Sequence, residues 1–301
     1  PKYLIKKLTY FFYYNSFKCG YKSFNELKEI SNKYDSDKIL NRARSAFKIS
    51  TSKSYLNDRD GEVILKKNIN FKLLNIITSS FKNQNIQYCV VDYGGSLANF
   101  YRTNIWYLKK FNIKWIVIDN SKICQLGNKI LKNKNIYFFE DLKKTKKFIK
   151  NYNLKTTLFF FGSSVQYLDN FEYILSRVKE FNCKKVIIER QPILRSKQTA
   201  YAIQKTPFWA GNFSYAVKLY NYNKLINLVL KYNFVLSCLP IFLTKSYVFE
   251  LFRSIWHSEC RDITDRGWNF ISSRSWHVGF QIFIVSCAAS KTKFRGSMFV
   301  I

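Results

Sequence analysis

Tyr88–Ala98 reads YCVVDYGGSLA: a continuous apolar run of strand length, an acid at Asp92, then a turn made of Gly94, Gly95 and Ser96. A short apolar run closed by glycine fits a strand buried on both faces, where no alternation with polar residues is needed. The rhythm then repeats. WIVID ends on Asp119, IYFF spans Ile136–Phe139, TLFFFG spans Thr157–Gly162 and VIIE spans Val186–Glu189. Between these runs apolar residues return at helical spacing, as in Phe100, Ile105, Leu108 and Phe111, or Phe171, Ile174, Leu175, Val178 and Phe181. Ile123, Leu126, Ile130 and Leu131 mark another helix, and the lysine-rich stretch Leu142–Asn151 a fourth. Five buried strands alternating with four amphipathic helices predict an α/β fold. Its sheet is doubly wound, mostly parallel and Rossmann-like, with right-handed crossovers and helices on both faces.

Upstream, Phe24, Leu27 and Ile30, then Ile39, Leu40, Ala43 and Phe47, predict two helices, the second capped by Asp35 or Ser36. Phe71–Phe81 predicts a third, and the polar stretch Ser50–Asp60 a loop. Residues 1–81 are therefore expected to form a helical N-terminal extension, and 82–301 the Rossmann-like domain. Beyond Glu189 a loop is expected through Pro192 and Pro207, then a helix around Leu225–Tyr232 and a strand at Val235–Pro240. An irregular aromatic insertion occupies about 241–293, and FQIFIVS (Phe280–Ser286) and SMFVI (Ser297–Ile301) read as strands.

Composition narrows the class. The 301 residues are 47% hydrophobic, enough for a sizeable core, and with only 10 Gly and 4 Pro they exclude disordered and collagen-like chains. No apolar run reaches the length of a membrane-spanning helix. Seven Cys without a C-x-x-C pair speak against a zinc ribbon, a redox pair or a disulfide framework, so a reducing, cytoplasmic setting is expected. PKYLIKKLTYFFYYNSF (Pro1–Phe17) lacks the core and cleavage site of a signal peptide; an amphipathic contact with the inner face of a membrane is an alternative to ordinary packing. Lys+Arg outnumber Asp+Glu by 50 to 19, a net charge of +31. That surplus suits nucleic acid or an anionic membrane. The lysines are scattered, however, and Lys, Asn, Ile, Tyr and Phe are all abundant, as an AT-rich genome would write.

In an open parallel sheet, ligands bind outside the carboxyl ends of the strands where the strand order reverses. Gly94 and Gly95 let the backbone approach a ligand there, and Asp119, at the end of the next strand, can accept both hydroxyls of a ribose. Ser96 breaks the G-x-G-x-x-G spacing of a nicotinamide dinucleotide site, and no Gly-Lys-Ser/Thr run follows to make a phosphate loop.

What remains, D-x-G-G-S, resembles the first motif of class I S-adenosylmethionine-dependent methyltransferases. DYGGSLANFY resembles the D-F-G-G-S-L-G-x-x-Y signature of a methyltransferase family found among bacterial surface-polysaccharide genes. FNELKEISNKYDSDKIL, NDRDG (Asn57–Gly61), SSVQYLDN (Ser163–Asn170) and IIERQP (Ile187–Pro192) resemble that family's other motifs, in its order, from about Phe24 to Leu239. Ala98 departs from it where the family has glycine, a change read as sterically conservative that could tighten the turn, and Glu189-Arg190-Gln191 replaces Asp-Arg-Thr.

The resemblance implies S-adenosylmethionine as cofactor and a glycan or sugar-nucleotide acceptor. Gly94, Gly95 and Ser96 would pass under the methionine part, and Asp92 would fix the turn or receive the ammonium through water. Asp119 would hold the ribose, and Glu140 or Asp141 the adenine amino group; helix capping is the competing role for these three acids. Ser163, Ser164, Gln166 and Tyr167 lie at the tip of the fourth strand, where an acceptor hydroxyl would be oriented. The catalytic group is unassigned: Gln166, Tyr167 and Glu189 are candidates, with Asp169 a further carboxylate base. Arg59 and Asp60 would close over the cofactor from the extension. His257 and His277 are the only histidines, and His257–Cys260 has no metal-ligand spacing. Two other functions compete: an RNA methyltransferase, drawn from the charge and aromatics, and a non-catalytic cofactor-binding partner subunit.

Overall fold

The computed structural model describes residues 16–31, 36–52, 56–59, 61–64, 69–81, 83, 85–183, 185–194, 198–206, 211–232, 234–239 and 279–287. The expectations for the amphipathic segment before residue 16, for Asp35, Asp60, His257 and His277, for most of 241–293 and for the strand 297–301 lie outside them.

Five parallel strands form the centre of the sheet: β4 (Tyr88–Tyr93), β5 (Ile113–Ile118), β6 (Ile136–Phe139), β7 (Lys155–Gly162) and β8 (Lys185–Leu194). They lie in the order β8-β7-β4-β5-β6, so the direction of winding reverses between β4 and β7. Beyond β8, β12 (Gly279–Cys287) runs antiparallel to it, and β11 (Phe234–Leu239) antiparallel to β12.

Alternation along each central strand divides its apolar side chains between two cores. Val91, Ile116, Ile118, Phe159, Phe161 and Ile188 face a layer that includes α8 (Phe171–Val178) and α9 (Tyr222–Lys231). Val90, Trp115, Val117, Leu158, Phe160 and Ile187 face the opposite layer, which includes α3 (Phe71–Thr78). Side chains on strands have period two, so a strand with two such faces reads as an unbroken apolar run. Each fully buried Phe, Leu or Ile here contributes roughly 1.5–3 kcal/mol. The other helices around the sheet are α4 (Asn99–Thr103), α5 (Ile105–Leu108), α6 (Ser121–Ile130) and α7 (Leu142–Asn151). None of the described helices is long and apolar enough to cross a membrane.

Two regions differ from the expectation. The N-terminal extension holds α1 (Phe24–Ile30) and α2 (Asp37–Ser52) but is not purely helical. Its β1 (Ser16–Tyr21) pairs antiparallel with β9 (Ala200–Lys205), and β2 (Asn57–Arg59) pairs with β3 (Glu62–Ile64). After Glu189 there is no loop through Pro192. β8 kinks at Arg190, whose φ is +55°, and continues to Leu194, where it pairs with β10 (Ser214–Asn221). Pro192 lies past the last β7 pair, Gly162 with Glu189, and stands opposite Phe280 of β12. β9 and β10 then form an antiparallel pair that carries the sheet to β1. Tyr215, Val217 and Leu219 alternate inward along β10, a period-two signal that the sequence carries openly.

Candidate functional site

The turns that leave β4, β5 and β7 meet at the carboxyl ends of the strands, beside Glu189 within β8, and hydrogen bonds lace them together. Gly94 N–H donates to the Ile118 carbonyl (2.8 Å), Ser163 N–H to the Glu189 carbonyl (2.8 Å), and Ser164 Oγ to the Tyr93 carbonyl (2.6 Å). Asp119 N–H reaches the Phe139 carbonyl at 3.2 Å. These strand ends lie at the winding reversal, where an open sheet offers its ligand site.

Asp92 sits beneath the turn, 2% exposed, with its Oδ2 accepting from the Trp115 indole N–H at 2.9 Å. Burial pushes its carboxyl up to about 7, against the pull of the indole bond; the charges of Asp119 and Glu189 add to the rise. The glycines are required by this packing. A Cβ on Gly95 would lie 2.5 Å from the Asp92 carboxylate, and one on Gly94, whose φ is +75°, 2.6 Å from Ser164 Cβ. Ser96 and Ala98 also have positive φ, +50° and +55°. Ala98 therefore occupies a left-handed position that glycine would fill without strain, so its substitution is a backbone matter as much as a steric one.

Asp119 Oδ2 accepts from Ser96 N–H at 2.9 Å, and its Oδ1 accepts from Asn120 N–H (2.8 Å) and Nδ2 (3.0 Å). Burial raises this carboxyl as well, with those bonds opposing the rise. Each carboxylate oxygen offers about two acceptor sites, so the protein's own bonds leave one, on Oδ2, for a ligand hydroxyl.

The expected site residues fall into two groups. Asp92, Gly94, Gly95, Ser96, Asp119, Ser163, Ser164 and Glu189 gather at these laced strand ends. Gln166 lies one step beyond them, 6% exposed, with Oε1 lacking a hydrogen-bond partner among the described residues. Tyr167 faces the β9–β10 pair instead: its OH donates to Gln204 Oε1 at 2.6 Å, and its ring meets Tyr215 edge-on. Asp141 caps α7 by accepting from Lys144 N–H (2.7 Å), and Glu140 pairs with Lys144 and Ser121. Asp169 is exposed and paired with Lys28 at 2.7 Å. Glu189 is 7% exposed, with Arg190 Nε 3.4 Å from its Oε2.

Two features escaped the sequence reading. Tyr93 stacks on Phe161, and burial, with the charges of Asp119 and Asp141, pushes its phenol up to about 12, so it remains a neutral donor. The second is a buried ion pair behind the turn, between Asp58 of β2 and Arg102 of α4. Motif matching pointed to Arg59 and Asp60; the acid of this pair is their neighbour Asp58.

The strand order, with β12 antiparallel between β8 and β11, is a Rossmann-like arrangement. No protein-family model matches the chain, and no curated protein matches it in sequence. Among solved structures it is similar to human N-acetylserotonin methyltransferase in complex with SAM, at 10% identity over 85% of this chain and 58% of that one, TM-score 0.41. It is also similar to Haemonchus contortus phosphoethanolamine N-methyltransferase 2 with S-adenosyl-L-methionine, at 12% identity over 90% and 61%, TM-score 0.42. A third is the N-terminal domain of EvdMO1 with SAH bound, at 8% identity over 84% and 100%, TM-score 0.44. The chain spans about three fifths of the length of the first two. Likenesses at this level do not define an activity.

Proposed function

We propose that the chain is an S-adenosylmethionine-dependent methyltransferase whose acceptor is a sugar or glycan intermediate of the cell surface. The observation that supports the cofactor most is the glycine turn folded over buried Asp92, with the Asp119 carboxylate at the end of the neighbouring strand. The residues fit the group. Gly94 and Gly95 present backbone without side chains, and Asp119 retains one acceptor site for a ribose hydroxyl.

When bound, S-adenosylmethionine supplies an electrophilic methyl group on a sulfonium. The chain's own part is alignment and electrostatics, because an in-line displacement asks chiefly for orientation. Gly94, Gly95 and Ser96 would hold the methionine end and Asp119 the ribose. Gln166, just past the end of β7, would help to orient the acceptor. Glu189 would take the hydroxyl proton. The acceptor class rests on the resemblance of the five motif segments between Phe24 and Leu239. A radiolabelled methyl-transfer screen against cell-envelope sugars and total RNA tests it. Label entering a glycan fraction supports the reading; label entering RNA alone replaces it with the nucleic-acid one.

A further inference from the structure

We propose that the Asp58–Arg102 pair is a positioning device through which the N-terminal extension holds the glycine turn in its cofactor-binding shape. The proposal rests on the methyltransferase reading for its functional half and on geometry alone for its conformational half. Arg102 Nη2 donates to both Asp58 oxygens, at 2.6 and 2.7 Å, and to Asn99 Oδ1 at 2.8 Å, while its Nε donates to the Leu97 carbonyl at 2.8 Å. The guanidinium lies over the Phe47 ring, 4.7 Å from its centroid, and Ser50 Oγ donates to Asp58 Oδ1. Both partners are largely withdrawn from water, the Asp58 side chain at 3% exposure and that of Arg102 at 11%.

The residue Arg102 grips is the telling one. Leu97 stands between Ser96 and Ala98, two non-glycine residues with positive φ. Left-handed backbone at such residues is disfavoured, and it persists only where the surroundings over-determine it. Leu97 itself is buried against Ala43 of α2 and against Ile123 and Leu126 of α6. The extension thus reaches the turn twice, directly through Ala43 packed on the Leu97 side chain and indirectly through Asp58, which holds the Arg102 that bonds the Leu97 carbonyl. On the far side, Ser96 N–H is held by Asp119, so loosening Leu97 would release the bond between the turn and the acid that faces the ribose.

Arg102→Lys keeps the charge opposite Asp58, but a single ammonium cannot span Asp58 and the Leu97 carbonyl as the planar fork does. Thr103→Val serves as a structural control. It removes the contacts of Thr103 Oγ1 with Asn57 Oδ1 (2.6 Å), another tie between extension and α4, and with the Asn99 carbonyl (2.7 Å), without touching Leu97. Hydrogen exchange at the Ser96 amide in the ligand-free protein should rise about tenfold or more in Arg102→Lys and stay unchanged in Thr103→Val. Titration calorimetry with S-adenosylmethionine should show roughly tenfold weaker binding in Arg102→Lys only. Adding Ala98→Gly to Arg102→Lys should recover part of that affinity, because glycine needs no external support at φ +55°. Wild-type Ser96 exchange in Arg102→Lys, or equal losses in Arg102→Lys and Thr103→Val, overturns the proposal. Failure of the wild type to bind S-adenosylmethionine overturns the methyltransferase reading instead, and Ser96 exchange still decides whether the brace exists.

Discussion

Replacing Asp92 with Asn should flatten the dependence of stability on pH. The Asp92 carboxyl ordinarily titrates at 3.8 and is raised by burial to about 7 in the folded chain. Between these values the folded state binds more protons than the unfolded one, so stability falls as pH rises through the interval. The interval corresponds to a loss on the order of 4 kcal/mol for this group, fully expressed above pH 7 and absent below about 3.8. Asn keeps an oxygen for the Trp115 indole and cannot ionise, but it introduces an amide NH2 beside Gly95, where an unmatched donor costs roughly 1–3 kcal/mol. The variant should be no more stable than the wild type at pH 4 and more stable by about 1–3 kcal/mol at pH 8. Urea unfolding at intervals between pH 4 and pH 8 measures the difference. Asp119, also raised by burial, is present in both proteins and largely cancels. Parallel stability curves with a constant offset would refute the reasoning, because they would mean that Asp92 titrates alike folded and unfolded.

Other expectations follow from the same geometry. Asp119→Ala should weaken S-adenosylmethionine binding by roughly 1–3 kcal/mol, through lost acceptors and a freed Ser96 amide, as calorimetry would show. Gln166→Ala should leave that affinity nearly intact but slow turnover; equal loss of cofactor in both variants would mean the two subsites are misplaced. Ala98→Gly should change unfolding free energy by less than about 1 kcal/mol, because relief of left-handed strain offsets the lost burial of one methyl group. RNA binding driven by the lysine surplus should be weak and fall steeply between 50 and 200 mM salt; tight, sequence-selective binding in a filter assay would favour a nucleic-acid substrate.

The central sheet was legible because every strand in it is buried on two faces, so burial writes itself as a run such as FFF at Phe159–Phe161. The glycine turn was legible for a related reason: a Cβ at Gly94 or Gly95 has no room, so the residue type is dictated locally. That same packing means a bulky substitution at Gly94 would disturb the fold as well as any ligand, and it separates the two roles poorly. The β9–β10 pair was hidden behind Pro192, whose ring suggests a loop. β1 was hidden because its partner, β9, is 180 to 189 residues away in sequence, from Tyr21–Tyr201 to Ser16–Lys205. The Asp58–Arg102 pair was hidden for the same reason, since nothing local distinguishes Asp58 from Asp60. Tyr167 was read as facing the acceptor from its place at the strand tip; the helical turn at Val165–Tyr167 rotates it toward Gln204.

The central claim is that the turn over Asp92 holds S-adenosylmethionine and not a dinucleotide. Isothermal titration of the purified chain with S-adenosylmethionine, repeated in the presence of excess NAD, tests it most directly. The account predicts one-to-one binding that NAD does not alter. Binding of NAD at this site, or no heat from S-adenosylmethionine with a folded protein in the cell, would contradict it.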